Sequence, residues 1–230
     1  MTRTSLILAL ALMASPAAAQ SPIDFSRLRP AKDSFVIMAQ GKPVGYETIT
    51  LDKAGDGFLV TDVTNLQPRM QQRTEVAVGA GGTMTSVKQR GSVMGNEMKI
   101  DVAYADGRAT GSAVAPDRDG VVQTKAISSD VPAGAVDDNV LLPLLPGIAW
   151  RPALAVTVPV FASGQNTVHQ VTLEVIATER IVVPAGTYDA YKVLVTGLPA
   201  PMTLWINTGL PHRVLKAAPD GAPLEFVAAR

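Results

Sequence analysis

The residues able to carry acid-base or nucleophilic chemistry are few. Only two histidines occur, His169 and His212, and there is no cysteine. A serine or threonine nucleophile needs a base within hydrogen-bond reach, so pairing of either histidine with Asp189 would have to come from the fold. The stretch Gly91-Ser92-Val93-Met94-Gly95 sets its serine directly after the glycine and is not a G-x-S-x-G elbow. Both histidines read as solvated strand-edge residues. Carboxylates of the glycosidase kind would have to be gathered from Glu174, Glu179 and Asp189, and Glu174 lies on the polar side of an alternating run.

Metal chemistry finds no better footing. No His-x-His or H-E-x-x-H spacing is present. Asp117-Arg118-Asp119-Gly120 begins like a calcium loop but lacks the closing Glu, so it reads as a hairpin turn. Met94 and Met98 read as core filler. Neither a metal nor a cofactor is expected. Pro184-Ala185-Gly186-Thr187 joins two alternating apolar runs and reads as a corner. A phosphate loop would lead into a helix and carry a Lys.

Composition narrows the partners. Twenty Lys and Arg balance twenty Asp and Glu, and no basic run exceeds two residues, so nucleic acid is not an expected partner. Thr2 and Arg3, the apolar run Ser5 to Ala14 and the small residues Pro16 to Ala19 follow the plan of a secretory leader. Residues 1–20 are therefore expected to be a signal peptide cleaved after Ala19 or Gln20. The apolar run is too short to span a bilayer, and processing leaves no membrane span in a periplasmic or secreted protein. Without disulfides, stability must come from apolar burial, for which about 210 residues suffice.

From residue 34 onward the pattern is short alternating runs punctuated by Gly, Asp and Pro, the signature of antiparallel strands. Ser34–Gln40 and Val44–Leu51 flank a Gly41-Lys42-Pro43 turn. In Phe58–Leu66 the apolar side is read as Phe58, Val60 and Val63, and in Thr167–Val183 as Val171, Leu173, Val175 and Ala177. Asp137–Leu145 breaks the rhythm, with acidic residues ahead of an apolar cluster cut by Pro143. It reads as one short helix or apolar plug. Residues 21–230 are expected to form a single β-rich domain, with 130–147 the one place where it could divide.

The stretches GKPVGYETITLDKAGDGFLVTDVTN (41–65), VTLEVIATERIVVPAGTYDAYKVLV (171–195) and MTLWINTGLPHRVLK (202–216) resemble the opening hairpins and closing section of exported bacterial proteins grouped as the domain-of-unknown-function 3108 family. The resemblance spans about residues 35–226. It implies an all-β fold, a large twisted antiparallel sheet of open-barrel type, with no established activity. Members of that family commonly carry an aromatic and basic helix where this chain has DDNVLLPLLPG.

A curved sheet has a concave face, either filled or left as a pocket for an apolar molecule. Trp150, Tyr188, Tyr191, Met202 and Trp205 are the candidate ligand-binding residues. The leading expectation is an exported, non-catalytic binding or carrier module for an apolar or amphiphilic ligand, such as a lipid. The alternative is an envelope structural or interaction protein that pairs with a partner protein through its sheet edges. A hydrolase using His212 or His169 is the third reading.

Overall fold

A computed structural model describes residues 21–117 and 119–229. The expected leader, and Arg118 of the expected DRDG turn, lie outside the described residues. The chain builds a first meander from β1 (Ala31–Ala39), β2 (Lys42–Ala54), β3 (Gly57–Leu66), β4 (Met70–Val78), β5 (Met84–Val93), β6 (Asn96–Ala105), β7 (Arg108–Pro116) and β8 (Val122–Asp130). It then crosses through β9 (Val136–Asp137) and the single-turn helix α1 (Leu141–Leu144), which lies between the 3-10 turns Asp138–Val140 and Leu145–Gly147. A second meander follows: β10 (Ala155–Ala162), β11 (Thr167–Val183), β12 (Gly186–Thr196), β13 (Met202–Asn207), β14 (Val214–Pro219) and β15 (Leu224–Ala228).

β1 pairs with β15, so both meanders join in one 15-stranded sheet running from β8 through β1 and β15 to β9. Every pairing is antiparallel except the short parallel contact of β9 with β10. The large antiparallel all-β sheet expected from the sequence is what forms. Its two ends do not pair with each other. The sheet nevertheless curls, because its remote edges meet through side chains. The Tyr104 hydroxyl of β6 donates to Asp137 of β9, and its ring meets Phe161 of β10 edge-on at 5.9 Å. Lys125 and Ser129 of β8 reach Gln165 and Asn166 in the β10–β11 turn. Burial, and then the Asp137 charge, raises the Tyr104 pKa and keeps its hydroxyl a donor.

Period-two burial explains which residues face inward. Ile49, Leu51, Phe58, Val60, Val76, Val78 and Val87 belong to one hydrophobic cluster that also takes in Val171, Leu173, Val193, Leu204 and the plug residues Leu141, Leu144 and Leu145. Each fully buried aliphatic side chain contributes roughly 1.5–3 kcal/mol. Two readings of the face change. Val63 stands on the opposite side from Phe58 and Val60, because residues directly across an antiparallel pair share a face and Asp62 is the partner of Ile49. Ala177 does not share the face of Val175: an irregularity at Ile176 shifts the register and sets Ala177 opposite Lys192, where it is exposed.

Candidate functional site

Residues 21–30 lie across one end of the curled sheet. Ile23 and Leu28 anchor this segment in the core, and between them Asp24 caps the 3-10 turn Phe25–Arg27 by accepting from the Ser26 N–H. The Asp24 N–H donates to the Gly147 carbonyl at 3.0 Å, which ties the segment to the plug. Gly147 permits this approach, since a Cβ there would stand 3.0 Å from both the Asp24 carbonyl oxygen and the Ile23 side chain. From below, the plug is pinned by Trp150, whose indole N–H donates to the Leu145 carbonyl at 2.9 Å.

Between this segment, the plug and the sheet opens a cavity of about 580 Å³, inside the 300–1,000 Å³ range of small-molecule sites. Buried Leu28, Ile49 and Leu51 form its deep wall with Pro143 and Pro146 of the plug. Leu210, Pro211, His212 and Arg213 of the β13–β14 connection form another side, and Arg27 and Arg29 line it from the N-terminal segment. Leu210 is 83 % exposed, a large aliphatic side chain left in water beside an apolar wall. A second cavity, about 390 Å³, lies between Phe25, Tyr104 and residues 131–135.

The five candidate residues do not converge on either cavity. Trp150 is core, beneath the plug. Tyr191 and Met202 face inward on neighbouring strands, half-buried. Trp205 lies opposite Lys192, on the outer face, where Lys192 and Lys216 stand over its ring at 5.5 and 4.8 Å and its N–H donates to Glu179. Tyr188 folds back on the expected corner, its hydroxyl donating to the Ala185 carbonyl at 3.0 Å. In that corner Gly186 has φ +142°, which disfavours a side chain. Tyr191 makes an edge contact with His212, which lines the first cavity, at 6.4 Å between ring centroids.

Neither histidine is a solvated edge residue. His212 is buried, with Nδ1 at 3.0 Å from the Asn207 carbonyl, which identifies Nδ1 as the protonated nitrogen. His169 is half-buried with its Nε2 enclosed and without a hydrogen-bond partner. The backbone carbonyl of Asp189 is taken by Thr208. Asp117 clamps its own turn by accepting from the Asp119 and Val121 N–H groups.

A carboxyl pair does form, between residues that sequence reasoning passed over. Glu47 and Asp62 face inward on β2 and β3, bridged by Thr64, whose hydroxyl lies 3.5 Å from Glu47 and 3.2 Å from Asp62. Burial, then the Asp62 charge, pushes Glu47 up to about 8. Burial likewise takes Asp62 up to about 6. Gln89 continues this polar layer, donating to Thr74 and Gln72. Among the described residues no group of three or more His, Asp or Glu is arranged to hold a metal ion, and no helix is long and apolar enough to cross a membrane.

Comparison with known proteins agrees with this geometry. A family described as a protein of unknown function, DUF3108, matches residues 34–227. A crystal structure of a β-barrel-like protein of the domain of unknown function DUF1849 from Brucella abortus superposes with a TM-score of 0.50. It is 11 % identical, and the alignment covers 90 % of this chain and 96 % of that one. No curated protein matches significantly by sequence.

Proposed function

We propose that this chain, which belongs to the DUF3108 family of proteins of unknown function, is a non-catalytic binding module that holds an apolar or amphiphilic ligand. The carrying observation is the cavity of about 580 Å³, walled by Leu28, Ile49, Leu51, Pro143 and Pro146, with Leu210 exposed at its side. Water against that aliphatic wall has few polar partners, so its displacement by an alkyl chain is favourable. The apolar leader expected in residues 1–20 supports a place of work in the periplasm or outside the cell.

The test is native mass spectrometry on detergent-free protein, followed by organic extraction and thermal melts. A bound apolar mass is expected. At a ligand concentration a hundred times Kd, linkage adds about 2.7 kcal/mol, which for a chain of this size raises Tm by roughly 5–10 °C. A protein that carries no such mass and whose Tm no amphiphile moves would sink the reading. The exposed Val121 and Val122 beside the unpaired outer edge of β8 favour the second reading, addition of a partner's strand. Its mark in the same experiment is a stoichiometric protein partner in place of the lipid.

A further inference from the structure

The cavity walls divide by chemistry. The deep wall is aliphatic and buried, whereas Arg27, Arg29 and Arg213 are exposed at its rim and, among the described residues, only one carboxylate, Asp33, lines it with them. Two of the three guanidinium groups are already matched. Arg27 pairs with Asp24 at 3.1 Å, and Arg213 forks onto Asp33 through Nε and Nη2. Arg29 differs: its Nη1 donates to the Ser26 and Leu28 carbonyls at 2.6 and 2.7 Å, and among the described residues it makes no ion pair. Those two bonds hold the guanidinium in place without neutralising it. The rim therefore carries an anchored, uncompensated positive charge beside an apolar pocket.

We propose that the ligand is an anionic amphiphile, its alkyl chain lying on Leu28, Ile49, Leu51 and the plug prolines and its anionic headgroup on Arg29, with Arg27 and Arg213 at either hand. The assignment rests on the cavity being the binding site, as argued above, and adds the headgroup. A guanidinium presents several donors in a plane and binds carboxylate or phosphate through charge-assisted hydrogen bonds. A cationic headgroup meets repulsion at the same rim. A neutral sugar headgroup meets neither.

The experiment is calorimetric titration of the full protein, below micelle-forming concentrations. The titrants are dodecanoate, dodecyl phosphate, dodecyl maltoside and dodecyltrimethylammonium, with acetate and inorganic phosphate as anions lacking a chain. The two anionic amphiphiles are expected to bind at least tenfold tighter than the maltoside and the ammonium compound, and acetate and phosphate to show no binding at millimolar concentration. Arg29→Gln, at an exposed position, is expected to weaken dodecanoate about tenfold, the scale of one charged hydrogen bond, and to leave the maltoside unchanged. Equal binding of anionic and neutral amphiphiles, or an unaltered dodecanoate affinity in Arg29→Gln, overturns the headgroup assignment while the cavity reading stands. Phosphate binding as tightly as dodecyl phosphate shows a free-anion site and overturns the amphiphile. Failure of every amphiphile to bind overturns the cavity reading itself.

Discussion

Replacing Trp150 with alanine is expected to cost about 3–5 kcal/mol of unfolding free energy, the range for removing a buried tryptophan. The indole is 6 % exposed and does two things at once. Its rings fill the space beneath the plug, in contact with the hydrophobic cluster, and its N–H gives the Leu145 carbonyl a second donor beside the Ile148 N–H at the end of a helix only one turn long. So short a helix has no stability of its own, so the plug holds its place by packing. Trp150→Phe separates the two contributions. It keeps most of the apolar volume and removes the indole hydrogen bond, while the Leu145 carbonyl still accepts from the Ile148 N–H at 3.0 Å, for an expected loss of about 0.5–1.5 kcal/mol. Urea unfolding of the three proteins measures both steps, with hydrogen exchange at residues 141–147 reporting whether the plug loosens first. A Trp150→Ala protein within 1 kcal/mol of the parent would mean that the plug is held by something other than this side chain.

The second large effect concerns pH. Glu47 and Asp62 share a buried corner of the inner face, and both carboxyls titrate above their ordinary values. A carboxyl whose pKa is higher folded than unfolded binds protons preferentially in the native state. Its contribution is therefore complete below the unfolded pKa, near 4, and is lost as pH rises through the folded values of about 6 and about 8. Each unit of displacement corresponds to about 1.4 kcal/mol, and because the two groups share one environment the pair is expected to lower stability by roughly 3–5 kcal/mol between pH 4.5 and pH 8.5. Glu47→Gln keeps the shape, removes one titration and is expected to abolish at least half of the slope while raising Tm at pH 8.5. Unfolding curves at half-unit pH intervals decide it. A stability that is flat over this range, or a Glu47→Gln protein with the parent's full slope, would contradict the assignment.

The fold was legible because its rules are local. Alternation in β2 and β4, glycine at the Pro184–Gly186 corner and the proline-cut apolar run at 137–145 each announce their element without knowledge of the partner strand. What was lost is phase. One irregularity at Ile176 turns Ala177 over, and a strict count of two from Val60 places Asp62 and Thr64 inside, where the eye follows Val63 instead. That same count along β2, from Leu51 through Ile49 to Glu47, was the available signal for the carboxyl pair. The site was less legible than the fold for a different reason. Aromatic residues attract attention as ligand contacts, yet here Trp150 is consumed by packing and Trp205 by two lysines and Glu179 on the outer face. The cavity is made instead by plain aliphatics and prolines from four distant stretches of chain, beside arginines spaced like any surface charge. No local pattern brings Arg29 next to Leu51 and Pro146; only the path of residues 21–30 over the end of the sheet does so.

The most direct measurement is a crystal structure of the protein with dodecanoate carrying bromine at its terminal carbon. An anomalous bromine peak is expected enclosed among Leu28, Leu51 and Pro146, with the carboxylate against Arg29. A bromine peak on the outer face, or an empty cavity in crystals saturated with ligand, would contradict it.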